Sequence, residues 1–207
     1  MNTHKIFVQN KFKKASQLIP KNSKVLDIGC GNGNLLNFLR NCDYYGIDIN
    51  EQSINQLIKK KIKAKKADLN KEEIPFKNQK FDYILLLDVL EHVIDPIKLL
   101  QESKKRLKEK GKLIVTLPND YHILNKIRFI FNKHLTEDPF APYGHLHFFP
   151  IKTGEKLLLK QEFKILKKIP LAPVKPSFIP QSIKNLLTKL FPQCFARDVL
   201  YLLSAKF

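Results

Sequence analysis

Glycines at every second position of one loop are the feature of this chain that points most directly to ligand binding. Gly29, Gly31 and Gly33 follow the strand-like residues 25–28 and precede residues 34–40, which have helical character. A strand, a glycine loop and a helix start in this order form the turn that cradles a nucleotide in a doubly wound sheet. Glycine is needed because the backbone turns sharply and a ligand must approach it with no Cβ in between.

The acidic residue just before the loop narrows the choice of nucleotide. The carboxylate of Asp27 would repel a diphosphate bound on the loop, whereas a ligand with cationic groups and no phosphate would tolerate it. S-adenosylmethionine is such a ligand, since it joins adenosine to an ammonium and a sulfonium. Asp27 therefore argues against a dinucleotide oxidoreductase, although that class stays formally open.

This stretch resembles motif I of the class I S-adenosylmethionine-dependent methyltransferases, in which a hydrophobic strand leads into Asp-x-Gly-x-Gly-x-Gly. The resemblance implies an α/β fold with a doubly wound, Rossmann-like sheet of seven strands in the order 3-2-1-4-5-7-6, strand 7 being antiparallel. It implies S-adenosylmethionine as the cofactor, bound by Asp27, Gly29, Cys30, Gly31 and Gly33. We expect one domain over residues 1–207, with a cofactor-binding core at about 20–119 and a substrate-side insertion at about 120–150.

Further cofactor contacts are expected at the ends of the next two strands. Asp48 closes an apolar run at residues 44–49, and a carboxylate there can accept two hydrogen bonds from ribose hydroxyls. The alternative role of Asp48 is to cap the following helix, for which Asn50 or Ser53 is better suited. The family resemblance adds Ile49 against the adenine, Asp68 at the adenine amino group and Leu69 along the ring.

The fourth predicted strand, residues 81–87, is almost wholly apolar, as expected for a strand buried on both faces. The sequence Asp-Val-Leu-Glu-His-Val follows it at residues 88–93 and resembles the motif IV region of small-molecule methyltransferases, including quinone-biosynthesis O-methyltransferases. It differs from the Asn/Asp-Pro-Pro-Tyr/Phe motif of nucleic-acid amino methyltransferases. The resemblance places Asp88 with the cofactor and both Glu91 and His92 near the methyl group. His92 could be a general base or a packing residue.

Two more histidines lie beyond the fifth strand. On a strand over residues 144–150, His145 and His147 would share one face and could act as a base or bind the substrate, with core packing as the alternative. No metal site is predicted, because no cysteine or carboxylate lies nearby in the sequence at ligand spacing. Residues 181–191 predict an amphipathic helix with Ile183, Leu186, Leu187 and Leu190 facing inward, and residues 133–143 predict a polar loop.

Composition sets outer bounds on the function. The 207 residues carry a net charge of +18, so binding to nucleic acid or to a membrane surface stays open. The lysines recur along the whole chain, however, and an AT-rich genome explains them better than a binding surface does. Three scattered cysteines indicate neither a disulfide framework nor a zinc site, so a cytoplasmic setting is expected. No transmembrane segment or signal peptide is apparent, and oligomeric state is not predicted.

Together with this resemblance, these features favour methyl transfer from S-adenosylmethionine to an oxygen, and less strongly to a nitrogen, of a small molecule, by in-line displacement. RNA methylation, supported only by charge, is one alternative. A non-catalytic S-adenosylmethionine-binding domain is another.

Overall fold

Seven strands form one sheet in the computed structural model, which describes residues 3–132, 144–173 and 177–206. The strands are β1 (Lys24–Ile28), β2 (Asp43–Asp48), β3 (Lys63–Lys66), β4 (Phe81–Leu87), β5 (Leu107–Pro118), β6 (Phe163–Leu171) and β7 (Asp198–Ala205). The helices are α1 (Thr3–Ser16), α2 (Glu51–Lys59), α3 (Pro96–Arg106), α4 (Ile123–Ile130), α5 (Ile151–Lys160), α6 (Gln181–Leu190) and α7 (Pro192–Phe195).

The strand order is 3-2-1-4-5-7-6. Strands β3, β2, β1, β4 and β5, in this order across the sheet, are parallel to one another. Strand β7 runs antiparallel to both of its neighbours, β5 and β6. The predicted fold class is therefore confirmed. Because β1, β2, β4 and β5 are parallel, their carboxyl ends meet at one edge of the sheet, where open α/β sheets bind their ligands.

The central strands are apolar on both faces because each face packs against its own hydrophobic cluster. Leu26, Ile84 and Leu86 belong to one cluster. Val25 and Leu85, which alternate with them along the strands, belong to the other.

Two helices that leave this edge begin with side-chain caps. The Asn50 side chain accepts a hydrogen bond from the Ser53 amide at the start of α2, and Asp95 accepts one from the Lys98 amide at the start of α3. Asn50 is thus the cap of α2, as expected, and Asp48 is available for another role.

The segment after the glycine loop is shorter than predicted. Residues 34–40 were expected to form a helix, but only the 3₁₀ helix Asn34–Phe38 is present. Leu39 is already extended, and Asn41 adopts a left-handed φ of 52° as the chain turns toward β2. Residue periodicity cannot separate such a single tight turn from a longer helix.

The orientation of α6 is opposite to the prediction. Ile183, Leu186 and Leu190 are exposed and Leu187 is half-buried, while Lys184 and Thr188 are buried. Within the three described ranges, no helix combines the length and the apolar character that crossing a bilayer requires. The predicted loop at residues 133–143 lies outside the described residues.

Candidate active site

The three loop glycines all have left-handed backbones, with φ values of 75°, 49° and 72° at Gly29, Gly31 and Gly33. A Cβ on Gly29 would lie 2.6 Å from Cγ2 of Val89, and one on Gly33 would lie 2.7 Å from Cδ2 of Leu57. A Cβ on Gly31 would meet nothing within 4 Å. The outer glycines are therefore required by close packing, whereas the middle one borders open space that a ligand can enter.

Asp48 braces this loop from the neighbouring strand. One carboxylate oxygen accepts the Gly31 amide at 2.7 Å and the other accepts the Asn50 amide at 2.8 Å. The exposed side chain of Ile49 follows at the same strand end. Asp48 thus lies beside the loop, as the sequence predicted, and also fixes its backbone.

Asp27 lies beneath the loop and is 4% exposed. It accepts a hydrogen bond of 2.7 Å from the Tyr44 hydroxyl. Burial raises the pKa of Asp27 to about 7, the Tyr44 hydrogen bond opposes this shift, and nearby Asp48 adds to it. Sequence reasoning assumed a fully ionised carboxylate, so the repulsion of a phosphate is weaker than expected near neutral pH.

Cys30 and the residues after β3 also lie next to this end of the sheet. Cys30 is buried, its Sγ lies 3.6 Å from the Gly31 carbonyl oxygen, and burial raises the pKa of its thiol well above the ordinary range. Asp68 accepts the Asn70 amide at 3.1 Å and lies 3.2 Å from the Lys71 ammonium. Its carboxylate therefore stabilises its own turn, with half-buried Leu69 beside it, and its contact with adenine remains a prediction.

Asp88, directly after β4, belongs to a partly buried ion cluster that the sequence analysis missed. Lys11 of α1 is 2% exposed, and its ammonium contacts the carboxylates of both Asp88 and Asp198. Thr116 donates a hydrogen bond of 2.7 Å to Asp88. These contacts fix α1 to the carboxyl ends of the central strands. The signal was a lysine inside the apolar stripe of the first helix, four residues after buried Phe7.

Glu91 is the most enclosed carboxyl group of the site, at 1% exposure. Its Oε2 has no hydrogen-bond partner among the described residues. Burial raises the pKa of Glu91 well above its ordinary value, and the negative charge of Asp88 adds to the shift. A raised pKa favours the neutral form of the carboxyl group, which can donate a hydrogen bond.

His92 and His145 pack together beside Glu91. Their ring centroids are 5.0 Å apart. Nδ1 of His92 lies 3.3 Å from the Gly144 carbonyl oxygen, and Nδ1 of His145 lies 3.3 Å from Oδ1 of Asp120. Asp120 was not predicted, although an acidic residue just after the fifth strand is a usable signal, since it falls at the same sheet edge.

His147 does not share the orientation of His145, and residues 144–150 form no strand, contrary to prediction. The amides of Leu146 and His147 both donate to the Glu91 carbonyl oxygen, at 2.8 and 3.2 Å. Successive amides of an extended strand point in opposite directions. Two successive amides that donate to one carbonyl oxygen therefore exclude a strand at this position. Nε2 of His147 lies 2.9 Å from the Val93 carbonyl oxygen, where it holds the loop in place.

The same cluster brings together three groups that can ligate a metal. One donor atom each from Glu91, His92 and His145 lies within 4.8 Å of the others, a spacing that can hold a divalent cation. Local spacing along the sequence does not reveal this set, because its third member comes from a distant loop.

The site contains an open glycine cradle, a carboxylate on the adjoining strand and a buried acid–histidine cluster at one sheet edge. A family model described as "Methyltransferase domain" matches residues 4–168. The chain belongs to this methyltransferase family. It is an S-adenosylmethionine-dependent enzyme, and the open space at Gly31 fits a nucleoside cofactor.

Relatives of this methyltransferase differ in what their names say they act on. It is 34% identical over 189 residues to an uncharacterized protein of Methanocaldococcus jannaschii, covering 87% of this chain and 80% of that protein. It is 36% identical over 110 residues to a ubiquinone biosynthesis O-methyltransferase of Pelagibacter ubique, covering 48% of this chain and 43% of the relative. A tRNA U34 carboxymethyltransferase of Nautilia profundicola is 36% identical over 104 residues, with 46% of this chain and 34% of the relative covered. The chain thus spans less than half the length of the latter two.

A solved structure shares the fold. The S-adenosylmethionine-dependent methyltransferase from Methanosarcina mazei superimposes with a TM-score of 0.67 at 18% sequence identity, covering 93% of this chain and 96% of that one.

Proposed function

We propose that this methyltransferase methylates a hydroxyl oxygen of a small molecule, with His92 as the general base. The observation that carries the proposal is the contact between Nδ1 of His92 and the Gly144 carbonyl oxygen, at 3.3 Å. A carbonyl can only accept, so Nδ1 carries the proton and Nε2 is the basic nitrogen.

The chain's own groups account for the proton and for the position of the acceptor. When bound, S-adenosylmethionine supplies a methyl group on a cationic sulfur that leaves as a neutral thioether. His92 would take the hydroxyl proton on Nε2, which would leave the acceptor oxygen able to attack the methyl group that the cofactor would supply. Neutral Glu91 can hydrogen-bond the acceptor and help align it. The glycine loop with Asp27 and Cys30, the strand-end residues Asp48, Ile49, Asp68 and Leu69, and Asp88 are the proposed cofactor contacts.

Proximity to the cofactor loop supports this assignment. The segment that carries Glu91 and His92 begins at Val89, whose side chain packs on Gly29 of the glycine loop. His145, held by Asp120, packs against His92 and fixes its ring plane. His147 is given a structural role in this proposal because its Nε2 is bound to the Val93 carbonyl.

The test combines an acceptor screen with two histidine variants. Methyl-labelled S-adenosylmethionine is incubated with the protein and with phenolic, sugar and lipid-precursor acceptors. With a working acceptor, His92→Gln should lower kcat by about 10²- to 10⁴-fold with little change in cofactor affinity. His147→Gln is the matched control and should retain most activity. An unchanged kcat in His92→Gln would refute the role of His92 as the general base.

RNA methylation is the second candidate, favoured by the net charge of +18 and by the tRNA-modifying relative. The sequence at residues 88–91 lacks the Asn/Asp-Pro-Pro-Tyr/Phe pattern, which counts against base amino groups as acceptors. Filter binding of tRNA at two salt concentrations separates the candidates, because contacts with several phosphates produce a steep salt dependence. Labelled methyl recovered in RNA and in no small molecule would favour this second function.

A further inference from the structure

Helix α6 presents its apolar face to solvent and its polar face to the protein. Ile183, Leu186 and Leu190, spaced three and four residues apart, are all exposed, the last at 58%. Lys184 and Thr188, one turn apart on the other face, are 6% and 2% exposed. A helix that covers a core has the reverse arrangement, so the outward apolar face requires another explanation.

Helix α4 has the same inverted arrangement. Asn125 is buried and donates to the Asp120 carbonyl oxygen at 2.8 Å. Phe129 and Ile130 are both 77% exposed, and Phe131 at the helix end is 70% exposed. Exposed aromatic and aliphatic side chains at this density are typical of a surface that contacts something apolar.

The segment that follows α6 is held at the start of α4. Asn119, between β5 and α4, donates from its side chain to the carbonyl oxygens of Gln193 and Ala196, at 3.2 and 2.9 Å. Its amide donates to the Arg197 carbonyl oxygen at 2.7 Å. Gln193 lies in α7, and Ala196 and Arg197 follow that helix, so α7, which comes directly after α6, is held at the carboxyl end of β5 beside the start of α4.

The charge of these segments indicates what the surface contacts. Residues 121–132 and 177–197 contain no aspartate or glutamate, whereas the exposed Lys126 and Lys189 add positive charge. Apolar faces flanked by basic residues and free of acids are the pattern of helices that lie in the interface of an anionic bilayer.

We propose that α4 and α6 dock this protein on an anionic lipid bilayer. The side chains of Phe129, Ile130, Leu186 and Leu190 enter the boundary between headgroups and acyl chains, and the basic residues contact the anionic headgroups. The proposal does not rest on the identity of the methyl acceptor, because vesicle binding can be measured without turnover.

The test is co-sedimentation with vesicles, either of phosphatidylcholine with phosphatidylglycerol or of phosphatidylcholine alone. The full chain should bind the anionic vesicles, and the double variant Phe129→Ser/Ile130→Ser should bind them at least ten-fold more weakly. The matched control is Ile58→Ser/Leu159→Ser, which alters side chains of 52% and 55% exposure at the carboxyl ends of α2 and α5. These helices end at the opposite edge of the sheet, so the control should bind as the unmodified chain does.

Three outcomes would overturn the proposal. The first is absence of binding to anionic vesicles by the unmodified chain. The second is binding that high salt abolishes and that the Phe129→Ser/Ile130→Ser substitutions leave unchanged, since that pattern reflects charge alone. The third is a dimer in sedimentation equilibrium that these substitutions convert to monomer, which would assign the surface to a second copy of the chain.

Discussion

Protonation of Asp27 should make the stability of this protein depend on pH in a predictable direction. Burial raises the pKa of Asp27 from 3.8 to about 7. The folded state therefore retains a proton that the unfolded state loses above about pH 4, and the free energy of unfolding falls as pH rises from 4 to 7. Three pKa units at about 1.4 kcal/mol each correspond to ~4 kcal/mol. Above about pH 7 Asp27 is ionised in both states, and the full loss of unfolding free energy is present.

Asp27→Asn isolates this effect because asparagine cannot ionise and keeps an oxygen for the Tyr44 hydroxyl. Urea unfolding of both proteins at closely spaced pH values gives the difference in their free energies of unfolding. We expect this difference to shift in favour of the variant by ~3 to 4 kcal/mol between pH 4 and pH 8.

Asp43→Asn is the control, since Asp43 forms an exposed ion pair with Lys63. This substitution should change stability by less than about 1 kcal/mol at any pH. A difference between unmodified protein and Asp27→Asn that stays constant from pH 4 to 8 would show that Asp27 ionises as an ordinary exposed carboxyl group does. The inference that burial raises the pKa of Asp27 would then be wrong.

Three further predictions concern the cofactor and the ion cluster. Asp48→Ala should weaken S-adenosylmethionine binding in calorimetry by ~2 to 4 kcal/mol, because it removes a charged acceptor for the ribose and a support of the glycine loop; unchanged affinity would limit Asp48 to a local structural role. In the same calorimeter, S-adenosylmethionine and its demethylated product should bind to the unmodified protein and NAD should not; the reverse order would contradict the cofactor assignment. Lys11→Met should lower the free energy of unfolding by ~3 to 5 kcal/mol, because Asp88 and Asp198 lose their buried counter-charge, whereas Lys63→Met at the surface should lower it by less than about 1 kcal/mol.

The sheet was predictable from the sequence because its signals are local. The apolar residues of β4 identify a strand buried on both faces. The glycines at positions 29, 31 and 33 mark a turn that few other residues could adopt. Once these two elements resemble a known family, the remaining strand order follows from that family and is confirmed here.

The candidate site was predictable where its residues end a strand or belong to a motif that resembles the family. Asp48 is the last residue of β2 and Asp88 follows β4 directly, and the parallel sheet brings them to one edge. Lys11 and Asp120 were missed because their roles depend on partners far away in the sequence. The strand expected at residues 144–150 was wrong for the same reason, since the Glu91 carbonyl group determines the backbone there.

Periodicity along a helix determines which side chains share a face, but not which face is turned toward the protein. The pattern of α6 correctly grouped Ile183, Leu186 and Leu190, and only the assumption that apolar residues face a core was wrong. That assumption holds when water is the only other environment available. Where a helix can reach an apolar environment outside the protein, such as a bilayer, burying Lys184 and exposing the apolar stripe is the stable arrangement in the bound state. The vesicle experiment therefore also tests why the sequence prediction failed at this helix.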